Sequence, residues 1–354
     1  MRAAVMRKIG EPLVVEEVED PVPAPDGAVV RVEACGICRS DWHAWVGDMG
    51  ERLRLPHVLG HEFVGVVEAV GPEVRRFAPG DRVIAPFSWG EGDCPQCRAG
   101  AEHLCDQRIT PGFDYWGGYA RYVATPRADR SLVRLPEGIE FVAGASLGCR
   151  FMTAFHAVVD RAAVRPGEWV AVHGLGGVGL SAVHILVAMG ARVVAVDIRP
   201  EPLARARALG AAATVDARAG DAAEAVRDLT GGGAQVAVDA LGVAATCQAA
   251  LRSLAKRGRH VQIGLTTRTG GETPEIPLPV DLIVRQEITL LGSLGMPSAR
   301  YDELLRLVDT GVLQPGSLVG RRVGLGEASD VLAAMTRYET DGVTVIDRYD
   351  EAGA

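Results

Sequence analysis

Residues 170–180 read VAVHGLGGVGL, an apolar β-branched run that breaks into glycines and resumes as an Ala-rich segment. That texture predicts strand, turn and helix in succession. Within it, Gly174, Gly176 and Gly179 stand in G-x-G-x-x-G spacing, with Gly177 and Val178 completing the turn. With 43 glycines in the chain a lone match says little, so the context carries the reading. Gly174 suits the tight turn, Gly176 lets a pyrophosphate approach the backbone, and Gly179 lets the helix pack on the strand. The first N–H groups of the helix then face the phosphate. A second strand ends at Asp197, 18 residues beyond Gly179, where a carboxylate accepts hydrogen bonds from both hydroxyls of an adenosine ribose. Its charge repels a 2′-phosphate, which favours NAD over NADP; Arg199 nearby is a cation able to tolerate that phosphate. A plain tight turn and an ordinary strand-end carboxylate are the competing readings, and both explain less.

Working outward, residues 165–290 alternate short buried-strand runs (EWVAVHG, ARVVAVD, VAVDALG, HVQIGL) with helical ones (GLSAVHILVAMG, EPLARARALG, AAEAVRDLTG, ATCQAALRSLAKRG). The alternation predicts βαβ units and a doubly wound parallel sheet, an α/β class. The first 150 residues lean to β: AVVRVEACGIC and EFVGVVEAVG are punctuated by the turn signals PAPDG and APGDR. After residue 292, ARYDELLRLVDTG and LGEASDVLAAMTRYETDG read as helices around a short LVGRRVGL strand, and GVTVID closes as a strand. The expected division is a mainly-β catalytic domain at 1–151 and 292–354, interrupted by a Rossmann domain at 152–291.

The 354 residues suffice for about two domains. Hydrophobic residues make up 48% and charged ones 23%, the composition of a soluble globular protein. A net charge of −8 argues against a nucleic-acid partner, which calls for a basic face. No apolar run is expected to span a membrane, and the N-terminal MRAAVMRKIG lacks a signal-peptide core, so a cytoplasmic protein with a small-molecule partner is expected.

Six of the seven cysteines precede residue 150. In a reducing compartment such clustering points to metal more than to disulfide. Cys35 and Cys247 read as buried core thiols. Cys94, Cys97 and Cys105 stand in C-x2-C-x7-C spacing, one ligand short of a closed tetrahedral zinc site. Cys38, His61 and Cys149 form a second set of good zinc ligands, three being the number that leaves a position open for catalysis. Taken singly, each of these three reads as well as a core thiol, a satisfied buried histidine or a helix-start residue.

The strings CGICRSDWH, GHEFVGVVEAVG, the cysteine cluster and GLGGVGL…VDI, in that order, resemble the zinc-dependent medium-chain alcohol dehydrogenase family over essentially the whole chain. The resemblance implies a GroES-like catalytic domain beside the Rossmann domain. It assigns Cys38, His61 and Cys149 to a catalytic zinc, Glu62 to the acidic neighbour of that metal, and Asp41 to the carboxylate that orients the histidine ligand. Arg39 matches a position that contacts coenzyme pyrophosphate, and Ser40 and His43 match a proton relay running through the coenzyme ribose. In the family's structural lobe, here about residues 88–108, a ligand lies three residues before the first cysteine of CPQC. That residue is Glu91, which departs from the four-thiolate pattern but is an acceptable ligand. Two zinc ions per chain are therefore expected, the structural one on Glu91, Cys94, Cys97 and Cys105; Asp93 and His103 are rivals with the wrong spacing.

Trp42, Phe87, Trp89 and Trp116 fall in segments resembling pocket-lining regions, with core burial an equal alternative for each. If several line a pocket, bulky apolar alcohols are favoured over polyols, and Cys149 agrees, since polyol-oxidising relatives often carry a carboxylate there. Val343 stands where many relatives have a coenzyme-binding arginine. The implied activity is reversible hydride transfer between primary or secondary alcohols and NAD through a zinc-bound alkoxide. A polyol, amino-alcohol or formaldehyde-type dehydrogenase is the alternative within the fold, and a nucleotide-sensing or scaffolding protein the alternative outside catalysis. Relatives of this length imply a homo-oligomer, a tetramer rather than a dimer.

Overall fold

The structure, a computed structural model, describes residues 1–266, 275–337, 339–340 and 342–350. Tyr338 and Asp341, within the last expected helix and turn, and the final four residues of the expected domain lie outside the described residues. The chain divides into two compact units, Met1–Cys149 with Pro297–Ala354, and Arg150–Met296.

In the first unit the strand Ala28–Ile37 is the organising element. It pairs antiparallel with Glu62–Val70, with Tyr122–Thr125 and with Val343–Arg348. The sheet continues outward through Arg82–Ile84 to Val133–Arg134 on one side and Val319–Gly324 on the other. A smaller antiparallel sheet orders Val14–Glu17, Arg2–Met6 and His57–Val58. Burying Ala28, Val30, Val32, Cys35, Ile37 and Phe63 into one apolar cluster fixes the register, because a one-residue slip would carry Arg31 and Glu33 into it.

The second unit is a six-stranded parallel sheet in the order Ala213–Asp216, Arg192–Asp197, Trp169–His173, Ala234–Asp239, Leu254–Gln262, Thr289–Gly292. Numbered along the chain this is 3-2-1-4-5-6, the doubly wound Rossmann topology. Val170, Ala171, Val172, Val193 and Val194 have no exposed surface, as strands covered on both faces require. The order reverses beside Trp169–His173, so the glycine turn that follows stands at the switch point where such sheets bind ligands.

Two expectations need correction, and two strands were not foreseen. ATCQAALRSLAKRG is not one helix: the helix is Ala244–Arg252, and Leu254–Gln262 is strand. Ser253 Oγ turns back onto the carbonyl of Ala250 at the end of the helix, and Leu254 and residues 259–262 then pair with Ala234–Asp239, with Ala255 and Lys256 in a break of the ladder between them. The strands Ala213–Asp216 and Thr289–Gly292 are too short and mixed to announce themselves. Finally, one helical stretch, Phe141–Arg161, is long and apolar enough to span a membrane; 78% of its most apolar window is buried in the protein, the mark of a core helix.

Candidate metal centres and coenzyme turn

Strand pairing brings the first cluster together. The antiparallel register sets Gly36 opposite Glu62, which carries Cys38 past His61 at one end of the ladder. Cys38 then caps the short helix Arg39–Trp45, and Cys149 arrives on the π-helical turn Leu147–Phe151. The ligand atoms of Cys38, His61, Glu62 and Cys149 all lie within 4.8 Å of one another. Gly148 makes this approach feasible: a Cβ there would stand 2.6 Å from Cβ of Glu62. Glu62, fully buried, accepts the Cys149 N–H at 2.9 Å.

Asp41, also fully buried, ties the cluster together. Its Oδ2 accepts from Cys38 N at 2.9 Å, and its Oδ1 accepts from Gly60 N at 3.1 Å and His61 Nδ1 at 2.9 Å. With Nδ1 donating to a carboxylate, the lone pair of His61 falls on Nε2. That atom is buried and makes no hydrogen bond of ordinary geometry. Burial pushes the imidazole down, but the Asp41 carboxylate and the Cys38 thiol outweigh it and hold its pKa well above the usual range. Two thiols, an imidazole with an orphaned nitrogen and a carboxylate converging on one point fit a zinc ion.

Around this cluster, Ser40 Oγ lies 4.0 Å from Cys38 Sγ. His43 Nδ1 lies 2.6 Å from Asp48 Oδ2. Arg39 stacks its guanidinium 3.6 Å above the Trp42 ring and bonds the carbonyl of Met335.

In the second cluster Glu91, Cys94, Cys97 and Cys105 hold their ligand atoms within 4.8 Å of one another, and neither Asp93 nor His103 is part of the group. The geometry is local. Cys94 caps the turn Pro95–Arg98, its Sγ accepting Cys97 N–H at 3.4 Å, while both oxygens of Glu91 accept backbone N–H groups, from Asp93 and Cys94. A Cβ at Gly90 would stand 2.4 Å from Cys97 Sγ, so the loop closes over the thiols only with glycine there. Three thiols and a carboxylate are a donor set that zinc accepts.

In the other unit, Gly174 has φ +85° and a Cβ at Gly179 would meet the Gly174 carbonyl oxygen at 1.9 Å, so the turn needs both. Around Gly176 nothing would lie within 4 Å of an added Cβ, which leaves the cap of the helix Gly177–Ala188 open to a phosphate. Asp197 ends its strand with Oδ2 on Leu175 N at 2.7 Å and Oδ1 on Arg199 N at 2.9 Å. These bonds fix the carboxylate beside the turn and leave a second lone pair on each oxygen.

Comparison with known proteins agrees with this geometry. Residues 24–137 match the family model "Alcohol dehydrogenase GroES-like domain" and residues 177–310 match "Zinc-binding dehydrogenase". The chain is 35% identical over 347 residues to an alcohol dehydrogenase of Geobacillus stearothermophilus, covering 98% of this chain and 99% of that one. The chain belongs to the zinc-type medium-chain alcohol dehydrogenase family. It is also similar to an alcohol dehydrogenase of Rhizobium meliloti, 40% identical over 313 residues, with 88% and 89% of the two chains covered. A solved NAD-dependent alcohol dehydrogenase superposes with a TM-score of 0.88 at 35% identity, over 99% of this chain and 100% of the other.

Within this family member the four aromatics separate. Trp89 is core, with 1% of its surface exposed. Phe87 meets His61 edge-on at 6.2 Å between ring centres. Trp42 is occupied by Arg39 and donates its indole N–H to Thr336 Oγ1 at 2.8 Å. Trp116 lines an open cavity of about 520 Å³ together with Arg52, Arg54, His57 and Asp114, which is polar rather than apolar. Val343 is buried in its strand.

Sequence reading missed Phe113, whose ring lies 5.0 Å from that of His61, and Asp48 on His43. It also missed Tyr301, whose buried hydroxyl donates to the Gly148 carbonyl at 3.2 Å and steadies the turn bearing Cys149. Asp48, five residues beyond His43, could have been found by asking what carboxylate pairs with that imidazole; Phe113 and Tyr301 carry no local signal.

Proposed function

We propose that this chain is an NAD-dependent zinc alcohol dehydrogenase that interconverts primary or secondary alcohols with their carbonyl products. The observation that carries the reading is the convergence of Cys38, His61 and Cys149 within 4.8 Å around the orphaned nitrogen of His61. Cys38, His61 and Cys149 would hold the catalytic zinc, and Glu91, Cys94, Cys97 and Cys105 a structural one. Zinc, when bound at the first site, supplies the Lewis acidity that makes an alcohol hydroxyl ionise near neutral pH, and NAD accepts the hydride.

The remaining work falls to side chains. Asp41 holds His61 in the tautomer that presents Nε2. Ser40 would take the proton from the substrate hydroxyl, and His43, which Asp48 orients through Nδ1, would be the base that hands it to solvent. In the reverse direction the same groups return the proton to the carbonyl oxygen. Glu62, buried beside Cys149, is the acidic neighbour available as a temporary ligand. The Gly174–Gly179 turn seats the pyrophosphate, Arg39 adds a positive charge to it, and Asp197 selects NAD by repelling a 2′-phosphate, Arg199 being the opposing influence. Phe87 and Phe113 beside His61 favour apolar alcohols. A cytoplasmic tetramer completes the reading, on family resemblance.

The test is a spectrophotometric panel of alcohols with NAD and with NADP, following absorbance of the reduced nicotinamide. Turnover with NAD that disappears in Cys149→Ser and after zinc removal is expected. Turnover that survives both would overturn the zinc mechanism, and a preference for NADP would overturn the role of Asp197.

A further inference from the structure

Glu102 stands between two of the proposed structural ligands, Cys97 and Cys105, yet its carboxylate is not part of that cluster. Its backbone is bound into the lobe: on the 3-10 turn Glu102–Leu104, the Glu102 carbonyl accepts the Cys105 N–H at 3.0 Å. The side chain leaves the lobe and reaches a residue 196 positions away. Oε1 accepts the backbone N–H of Ser298 at 2.8 Å and also the Ser298 hydroxyl. Ser298 opens the 3-10 turn Ser298–Arg300, which runs directly into the helix Tyr301–Asp309. The first N–H groups of such a stretch have no partner within it, and the acceptor is normally a cap residue close in sequence. Here it is a carboxylate from a distant lobe, whose charge also suits the positive end of the helix. Tyr301, the first residue of that helix, has no exposed surface and donates its hydroxyl to the Gly148 carbonyl at 3.2 Å, beside Cys149. Every residue of this path lies in the unit Met1–Cys149 with Pro297–Ala354.

We propose that Glu102 is a positioning residue that couples the structural zinc lobe to the catalytic metal site. The proposal rests on reading Cys38, His61 and Cys149 as the catalytic zinc ligands. By fixing Ser298, Glu102 sets where the helix starts, and so where Tyr301 holds the Gly148 carbonyl. Gly148 packs on Glu62 with no room for a Cβ, so a shift of its turn displaces Cys149 rather than being absorbed. Two donors meet one ionised oxygen at Glu102, and charge-assisted bonds of this kind are among the stronger polar contacts. The links Glu102–Ser298 and Tyr301–Gly148 stand in series, so breaking either one frees the same turn.

The experiment follows zinc release from the zinc-loaded full chain to a chromogenic chelator, with Cys149→Ser and Glu91→Ala marking which phase belongs to which site. Glu102→Ala is expected to speed loss of the catalytic zinc about tenfold, the lower end of what outer positioning groups contribute, and to leave the structural zinc unchanged. A general loss of stability would loosen both sites alike. Glu102→Gln keeps an acceptor oxygen and should restore most of the retention, and Tyr301→Phe should release the catalytic zinc as Glu102→Ala does. Because the links act in series, the double variant should be no worse than the worse single one. Glu91→Ala should hasten catalytic zinc loss in wild type and add nothing in Glu102→Ala. Circular dichroism identifies a Glu102→Ala chain that has not folded, and Ser298→Ala, expected to speed the loss about threefold, then decides alone. Catalytic zinc loss within about twofold of wild type in the deciding variant, equal speeding at both sites, or additive effects of Glu102→Ala and Tyr301→Phe would overturn the proposal. Wild-type release unchanged by Cys149→Ser overturns the catalytic site itself, and the role of Glu102 with it.

Discussion

Asp41 Oδ1 lies 2.9 Å from His61 Nδ1, and neither side chain has any exposed surface. The same carboxylate accepts the N–H groups of Cys38 and Gly60, so one buried charge orients two of the proposed ligands. Asp41→Asn keeps the shape and removes the charge. Metal affinity is expected to fall about 10–100-fold, the usual cost of losing such an outer carboxylate. Competition with a chelator, read by zinc content, checks it; unchanged retention would mean that Asp41 only braces the backbone.

The Glu91 cluster gives a stoichiometry. Wild type should carry about two zinc ions per chain by its two donor sets, and Glu91→Ala about one. Elemental analysis after exhaustive dialysis reads both. One zinc in wild type would remove Glu91 from the ligands.

For the relay, the pair His43–Asp48 at 2.6 Å is the group to break. His43→Ala should slow turnover mainly at the acid end of the pH profile, where water is a poor substitute base, and added imidazole should restore part of the rate. Asp48→Asn should lower kcat less than His43→Ala does, because the base survives without its anchor. A pH profile of His43→Ala superimposable on wild type would reject the relay.

Acid stability should depend on His173. Burial first, and then the neighbouring His260, push its pKa down to about 3, so the folded protein keeps it neutral. The unfolded chain binds that proton from about pH 6.5 downward, so this group costs nothing above that pH. Between about 6.5 and 3 the folded state loses up to roughly 1.4 kcal/mol for each pH unit. His173→Leu should flatten the fall in thermal midpoint between pH 7.5 and 5; an unaltered slope would assign acid sensitivity elsewhere.

How far the chain could be read before folding follows from where each signal is stored. The turn at Gly174–Gly179, its flanking strand and helix, and the carboxylate of Asp197 lie within the 29 consecutive residues 169–197, so spacing alone exposed them. The cysteine cluster is local in the same way: Cys94, Cys97 and Cys105 are brought together by a cap and two short turns. Reading failed where local preference and tertiary demand diverged. Ala255 and Lys256 favour helix, yet they fall in a break of the ladder between Leu254 and Arg259, both of which pair with the neighbouring strand. Trp89 and Trp116 looked alike as aromatics, but one fills the core and the other lines an open polar cavity.

The sequence by itself determined much of the alternation of strands and helices and the glycine turn, because these are set by residue type and short spacing; the proposed zinc ligands came from resemblance to the family. Only the tertiary structure decided that Cys38, His61 and Cys149, up to 111 residues apart, meet at one point. It likewise decided that Tyr301 braces the carbonyl of Gly148 and that Glu102 holds Ser298. Such meetings depend on the register of one sheet and the packing of its helices, which the whole core fixes at once and no short stretch of chain encodes.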